Sequence, residues 1–111
     1  MIEATVISYL ASALSVPVGA ELPAMLPASF VIVEKTGGGE ANHIRDATIA
    51  VQSYAPTLFE AAQLNETVLT AMAGLVALPS ISRCNLNTSY NFTDPTTKQY
   101  RYQAVFDIVH Y

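Results

Sequence analysis

Apolar residues recur at three- and four-residue intervals from the start of the chain. Ile2, Val6, Ile7, Leu10 and Leu14 predict a helix with one apolar face, and Glu3 falls in its first turn, where the helix dipole favours an acid. The pattern stops at Ser15-Val16-Pro17, because a proline disfavours helical geometry in the residue before it. Residues 15–29 contain Pro17, Pro23 and Pro27 and predict an extended, irregular connection. The β-branched and aromatic run Phe30-Val31-Ile32-Val33-Glu34-Lys35 predicts a strand, broken by Thr36-Gly37-Gly38-Gly39-Glu40-Ala41-Asn42. A second strand is expected from Asp46 to Tyr54, with Ala47, Ile49 and Val51 on one face. These two strands are expected to pair as a hairpin joined by a long, glycine-softened loop.

Thr57 and Glu60 then stand at capping-box spacing ahead of a long helix. Ala61, Leu64, Val68, Met72 and Leu75 form its apolar stripe, opposite a thinly charged face of Gln63, Glu66, Thr67 and Thr70. Gly74 weakens the last turns and Leu78-Pro79 ends them. From Ile81 to Phe92 the alternation is imperfect and places Cys84, Leu86, Thr88, Tyr90 and Phe92 on one face. Thr93-Asp94-Pro95-Thr96-Thr97-Lys98 is a turn. Tyr100 to Tyr111 alternates well, with Tyr102, Ala104, Phe106 and Ile108 facing one way and Arg101, Gln103 and Asp107 the other. The order helix, two strands, helix, two strands predicts an α+β fold. Two layers bury every apolar surface: a four-stranded antiparallel sheet of two hairpins, packed on one face by both helices. The other sheet face is then either solvated or in contact with a partner.

Composition adds one feature to this picture. Charged residues make up 13% of the 111-residue chain, about half the roughly 25% usual in soluble domains. A surface so short of charge suggests that part of it faces protein instead of water. The length fits a single domain, residues 1–111, with a real core. No apolar run approaches the roughly 18 residues of a membrane span, and Met1-Ile2-Glu3 lacks the basic region of a secretory signal. A net charge of −4 with five scattered basic residues argues against nucleic-acid binding.

Candidate chemistry is sparse. His43 and His110 have no close sequence partner of the kind found in nucleophile or metal sites, and both read as structural or solvated. Cys84, the only cysteine, reads as a core-facing apolar residue. Gly37-Gly38-Gly39 lacks the Lys-Ser/Thr and following helix of a phosphate loop. Asn65-Glu66-Thr67, Asn87-Thr88-Ser89 and Asn91-Phe92-Thr93 match the glycosylation pattern but carry no weight without a secretory signal. No catalytic residue, metal ligand or cofactor is assigned.

Three stretches together resemble the tail terminator (tail completion, or head–tail joining) proteins of long-tailed bacteriophages and prophages. They are Phe30-Val31-Ile32-Val33-Glu34-Lys35-Thr36-Gly37-Gly38-Gly39, Val51-Gln52-Ser53-Tyr54-Ala55-Pro56-Thr57 running into Glu60-Ala61-Ala62, and the Asp94-Pro95 turn with Tyr100-Arg101-Tyr102-Gln103. The resemblance spans about residues 28 to 111 and rests on the order and spacing of these stretches. The loop departs from the family's usual basic character, since Lys35 and Arg45 are offset by Glu40 and Asp46. The resemblance implies a structural, non-enzymatic virion protein at the head–tail junction, assembled in the bacterial cytoplasm. It implies a hexameric ring of identical subunits that caps the tail tube. Its partners are then other copies of the chain, the major tail tube protein and a head-completion or neck protein. On that reading Thr36, Gly37, Gly38, Gly39, Glu40 and Arg45 reach a neighbour or the tube, and Gln63, Thr67, Thr70, Arg101, Gln103 and Asp107 are candidate subunit contacts. Two alternatives stand beside it: another neck or tail-tube component, and a small α+β ligand-binding domain or enzyme with a pocket on its sheet.

Overall fold

Eight apolar side chains alternate inward along three long strands, and this alternation organises the molecule. In a computed structural model that describes every residue except Leu26 and Lys98, β2 (Phe30–Ala41), β3 (Ile44–Ala55) and β5 (Tyr100–His110) lie side by side. Val31 and Val33 of β2, Ala47, Ile49 and Val51 of β3, and Ala104, Phe106 and Ile108 of β5 share one buried cluster. Two helices cover this face. From α1 (Ile2–Ala13) come Ile2, Val6 and Leu10, and from α2 (Leu58–Ala73) come Ala61, Val68 and Met72. Burying a side chain of this size contributes about 1.5–3 kcal/mol, so the two apolar stripes decide where the helices sit. Residues Leu75–Ala77 add one tight 3₁₀ turn, whose Leu75 completes the core.

Each helix ends for a local reason. The Thr57 hydroxyl accepts from the Glu60 amide (3.2 Å) and donates to its carboxylate (3.1 Å), satisfying one of the unpaired amides at the start of α2. The helix stops at Ala73, earlier than the expected Leu78. There the Tyr9 hydroxyl of α1 donates to the Ala71 carbonyl (2.7 Å), and a Cβ on Gly74 would stand 2.7 Å from that hydroxyl oxygen. Glycine at 74 therefore lets the two helices share a hydrogen bond at their contact. Helix α1 gives way to extended Leu14, three residues before Pro17.

The sheet order is β1-β2-β3-β5-β4, where β1 is Val18–Gly19 and β4 is Ile81–Asn91. The expectation of four antiparallel strands is corrected to five strands with one parallel pair. Val18 and Gly19 run beside Val31 and Ile32, and the Val31 amide donates to the Pro17 carbonyl (2.9 Å). Pro17 fixes an extended entry, so the supposedly irregular segment yields two residues of strand.

The glycine run is also corrected. Strand β2 does not break at Thr36 but continues through Gly37, Gly38, Gly39 and Glu40 to Ala41, paired with β3 as far as Ala41–Ile44. The long loop is in fact a two-residue turn, Asn42-His43, with φ of 52° and 65°. Positive φ at both central residues is the signature of the hairpin turn whose twist matches that of the strands. Gly38 is required by a close approach, since a Cβ there would lie 2.6 Å from the Asp46 carbonyl oxygen. The residues from Glu34 to Asp46 are all exposed, so the hairpin end stands outside the helix-covered core and contributes to a molecule measuring 44 × 25 × 25 Å.

Strand β4 departs from the single-face expectation. Its register with β5 shifts between Ile81 and Arg83 and again between Leu86 and Thr88. A β-bulge inserts one residue and reverses the facing beyond it. Cys84 and Leu86 therefore share the helix-side face with their partners Ile108 and Phe106, while Thr88 and Tyr90 pair with Val105 and Gln103 on the opposite face. The turn expected at Thr93–Lys98 contains an Asp94–Gln99 bridge, and Lys98 lies outside the described residues. Among the described residues no helix is long and apolar enough to cross a membrane.

Two substitutions test the hairpin. Gly38→Ala should cost about 1–3 kcal/mol through the forced shift against Asp46, whereas Gly37→Ala, with nothing nearer than 3.9 Å, should be neutral in urea unfolding. His43→Gly should stabilise the fold by about 0.5 kcal/mol in the same experiment, because it relieves a side chain held at positive φ.

Candidate functional site

The sheet face turned away from the helices is the most structured surface of the molecule. Alternation along β3 and β5 sets its rows, with Tyr54 opposite Arg101, Gln52 opposite Gln103 and Thr48 opposite Asp107. At the end near the β3–α2 connection, Phe30 and Tyr54 stack with ring centroids 4.5 Å apart and planes 10° from parallel. With Ile32 they form a second, small buried cluster. Arg101 closes this end: its guanidinium lies 4.4 Å from the Phe92 ring centroid and 5.7 Å from that of Tyr54. Its Nη1 donates to the Tyr54 hydroxyl (2.9 Å) and its Nε to the Phe92 carbonyl (2.7 Å). Two aromatic faces and two hydrogen bonds hold the cation in one place.

A polar row crosses the sheet beside this cluster. The Tyr54 hydroxyl donates to Gln52 Oε1 (3.1 Å), Gln52 Nε2 donates to Gln103 Oε1 (2.8 Å), and Gln103 Nε2 donates to the Tyr90 hydroxyl. Further toward the hairpin end, the Asp107 carboxylate accepts from Asn87 Nδ2 (2.9 Å). There the face opens into a depression of about 460 Å³ that brings Gly38 and Gly39 together with Asp107, alongside Asp46, Thr48, Arg83 and Asn85. This outer face is thus neither plainly solvated nor plainly apolar: one end is built of aromatic side chains that partly cover one another, and the other is open and polar.

The residues singled out from the sequence fall on three surfaces. Thr36, Gly37, Gly38, Gly39, Glu40 and Arg45 lie on the outer half of the hairpin as strand residues, and an exposed ion pair joins Glu40 to Arg45 (3.1 Å). Arg101, Gln103 and Asp107 lie on the outer sheet face. Gln63, Thr67 and Thr70 lie exposed on the back of α2, where the two threonine hydroxyls donate to their own helix, at the Gln63 and Glu66 carbonyls. The structure brings Gly38, Gly39 and Asp107 together and leaves the α2 group apart.

Three features escaped the sequence reading. Phe30 and Ile32 were assigned to a strand without a face, and only the β2–β3 register puts them beside Tyr54 and Gln52. Gln52 and Gln103 occupy equivalent outward positions of neighbouring strands, a signal that becomes visible once the two are paired. Asn65 is 2% exposed within the apolar stripe of α2, and its Nδ2 donates to the Ser89 hydroxyl of β4 (2.8 Å). That burial closes Asn65 as a glycosylation acceptor.

Groups with catalytic potential remain dispersed. His43 forms half of the hairpin turn. His110 is buried beside an open depression that Glu3, Glu40 and Asp46 also line. This is the outline that the enzyme alternative calls for. However, the one polar contact of its ring among the described residues is with the Tyr111 carbonyl (3.4 Å), and the Glu40 carboxylate is engaged by Arg45. Among the described residues no three His, Cys, Asp or Glu side chains cluster to hold a metal ion.

The class defined by fold and surface is a mixed α+β domain, with a five-stranded sheet, two helices on one face and a polar, aromatic-edged opposite face. No protein-family model matches the chain, and no curated protein matches it by sequence.

Cys84 sits half-buried against the core on β4, and desolvation pushes its thiol up to about 11. Its alkylation at pH 8 should be on the order of a hundredfold slower in the native protein than in urea, where an ordinary thiol titrates near 8.5. Timed mass spectrometry after iodoacetamide treatment measures the ratio.

Proposed function

We propose that this protein is a structural component of a phage tail, a tail terminator that caps the head-proximal end of the tube and joins it to the head. In this reading it works as a hexameric ring at the head–tail junction of the virion, assembled in the host cytoplasm. It meets other copies of itself, the major tail tube protein and a head-completion or neck protein, and it uses no cofactor, membrane or nucleic acid. Its action is recognition and capping, not catalysis.

The observation that carries the reading is the arrangement of the three stretches behind the family resemblance. The Thr-Gly-Gly-Gly run becomes the exposed half of a long hairpin. The Tyr-Ala-Pro-Thr stretch becomes the corner between β3 and α2. The Asp-Pro turn becomes the connection of β4 to β5. All three thus stand at the ends of one sheet, where axial partners above and below a ring would be met. The sheet is open, with β1 and the outer half of β2 on one side and β4 on the other, which gives the subunit two different flanks of the kind a head-to-tail ring uses. The shortage of charge agrees with a subunit whose surface is mostly covered after assembly.

Deleting the gene from the phage or prophage that carries it, followed by electron microscopy of the lysate, tests the proposal. Tails of uncontrolled length that fail to join filled heads are the expected outcome. Virions of normal tail length would sink it.

A further inference from the structure

The two flanks of the sheet differ in a complementary way. On the first, β1 ends at Gly19 and leaves β2 without an outer partner from Val33 onward. Helix α1 runs alongside, and between them lies a groove of about 570 Å³ whose apolar lining includes Ala4, Ile7 and Val33. On the second flank, β4 has no outer partner among the described residues. Its helix side presents Leu86, 50% exposed, next to half-buried Cys84. Leu86 is at the level of Phe106, Ile49 and, on β2, Lys35. The knob on one flank and the groove on the other therefore stand at the same height on the same side of the sheet.

Charge and strand direction agree with this match. Strand β4 carries one charged residue, Arg83, which is exposed and has no ion-pair partner among the described residues. Arg83 pairs with Val109, Val109 with Asp46 and Asp46 with Gly39, so all four are at one level on the outer face. An Arg83 arriving beside β2 from outside meets Gly39, which has no side chain, and beyond it the exposed carboxylate of Asp46. Strands β2, β3, β5 and β4 alternate in direction. A copy displaced sideways, with its strands still parallel to those of the first, therefore sets its β4 antiparallel to the free β2 edge. A molecule whose extents are 44 × 25 × 25 Å has sides long enough for the roughly 800 Å² per partner that a stable interface buries.

We infer that the free edge of β2 and the groove beneath α1 bind the β4 flank of a second copy of this chain, head to tail, with Leu86 in the groove and Arg83 facing Asp46. The interface is heterologous, so each copy uses one flank for each neighbour, and a rotation that closes makes the assembly a ring. Backbone hydrogen bonds along the two edges supply affinity, and the knob and the ion pair supply register. The two bulges of β4 and the charges of Glu34 and Lys35 guard against indiscriminate edge pairing. The inference rests on the ring reading only in naming a second copy as the occupant.

A charge-swap mixture tests it. Arg83→Asp places two carboxylates across every interface, and Asp46→Arg places two guanidinium groups there. Each variant alone should need about tenfold higher concentration to assemble in analytical ultracentrifugation. Mixed in equal amounts, the two should assemble like the wild type. Every alternating contact is then complementary, and native mass spectrometry should find equal numbers of each chain. Pairing within one chain cannot produce that rescue. Leu86→Asp, at an exposed position, should weaken assembly while leaving the circular dichroism spectrum unchanged. Assembly indifferent to all three variants, or a mixture no better than its components, overturns the flank assignment and leaves the ring reading standing. A wild-type chain that sediments as a monomer at millimolar concentration overturns both.

Discussion

The pairing of β3 with β5, in unbroken register from Arg45–His110 to Ala55–Tyr100, is the constraint on which the remaining structure depends. These strands lie far apart in sequence, so their ladder closes the whole chain between them into one unit. The pairing aligns Ala47, Ile49 and Val51 with Ile108, Phe106 and Ala104, forming the apolar floor on which α1 and α2 pack. A slip of one residue would turn the three inward side chains of one of these strands to the outer face and bring its glutamine under the helices. Each outward glutamine, in contrast, finds its partner on the neighbouring strand. The same register that builds the core therefore also builds the polar row.

Away from that central pair the sheet becomes progressively less committed. Strand β2 is covered by α1 near Val31 and Val33 but exposed from Glu34 onward. Strand β4 is held to β5 with two bulges and covered only in part, leaving Cys84 half-buried and Leu86 exposed. A finished monomer ordinarily protects such edges with bulges, charge or covering elements. Here the protection is uneven, since β4 carries two bulges while β2 carries one, between Lys35 and Gly37, and three glycines among its exposed charges. An edge of this kind is suited to a partner that supplies the missing strand.

The outer face follows a similar division. The Phe30–Tyr54 stack, Arg101 and Phe92 tie its β3–α2 end together, because the half-buried guanidinium is held by two aromatic rings as well as by hydrogen bonds. The hairpin end, around Asp46 and Asp107, has no such closure. Catalytic chemistry needs converging groups, and the described groups with that capacity, His43, His110 and Cys84, lie at a turn, at a strand end and against the core.

Much of the fold was legible along the chain. Both helices, the capping box at Thr57 and Glu60, the inward set on β3 and the alternation of β5 follow from local periodicity, because each depends on residues within a few positions of one another. The strand Val18–Gly19 was not legible, since two residues carry no periodicity and form a strand only because β2 lies beside them. The glycine run read as a loop because glycine weakens a strand locally, yet the ladder to β3 and the close approach at Gly38 hold it extended. The bulge beyond Leu86 was invisible because facing beyond it depends on the partner strand. Arg101, Gln103 and Asp107 were correctly placed on an outward face, while Phe30, Gln52 and Tyr54, which complete that surface, required the pairing of strands. By itself the sequence determined which residues of the two helices and of β3 and β5 turn inward, for there the facing is set by unbroken local periodicity and the need to bury apolar surface. Only the tertiary structure decided which strands neighbour one another, and with them the two open flanks, because strand order depends on contacts between residues distant in the chain.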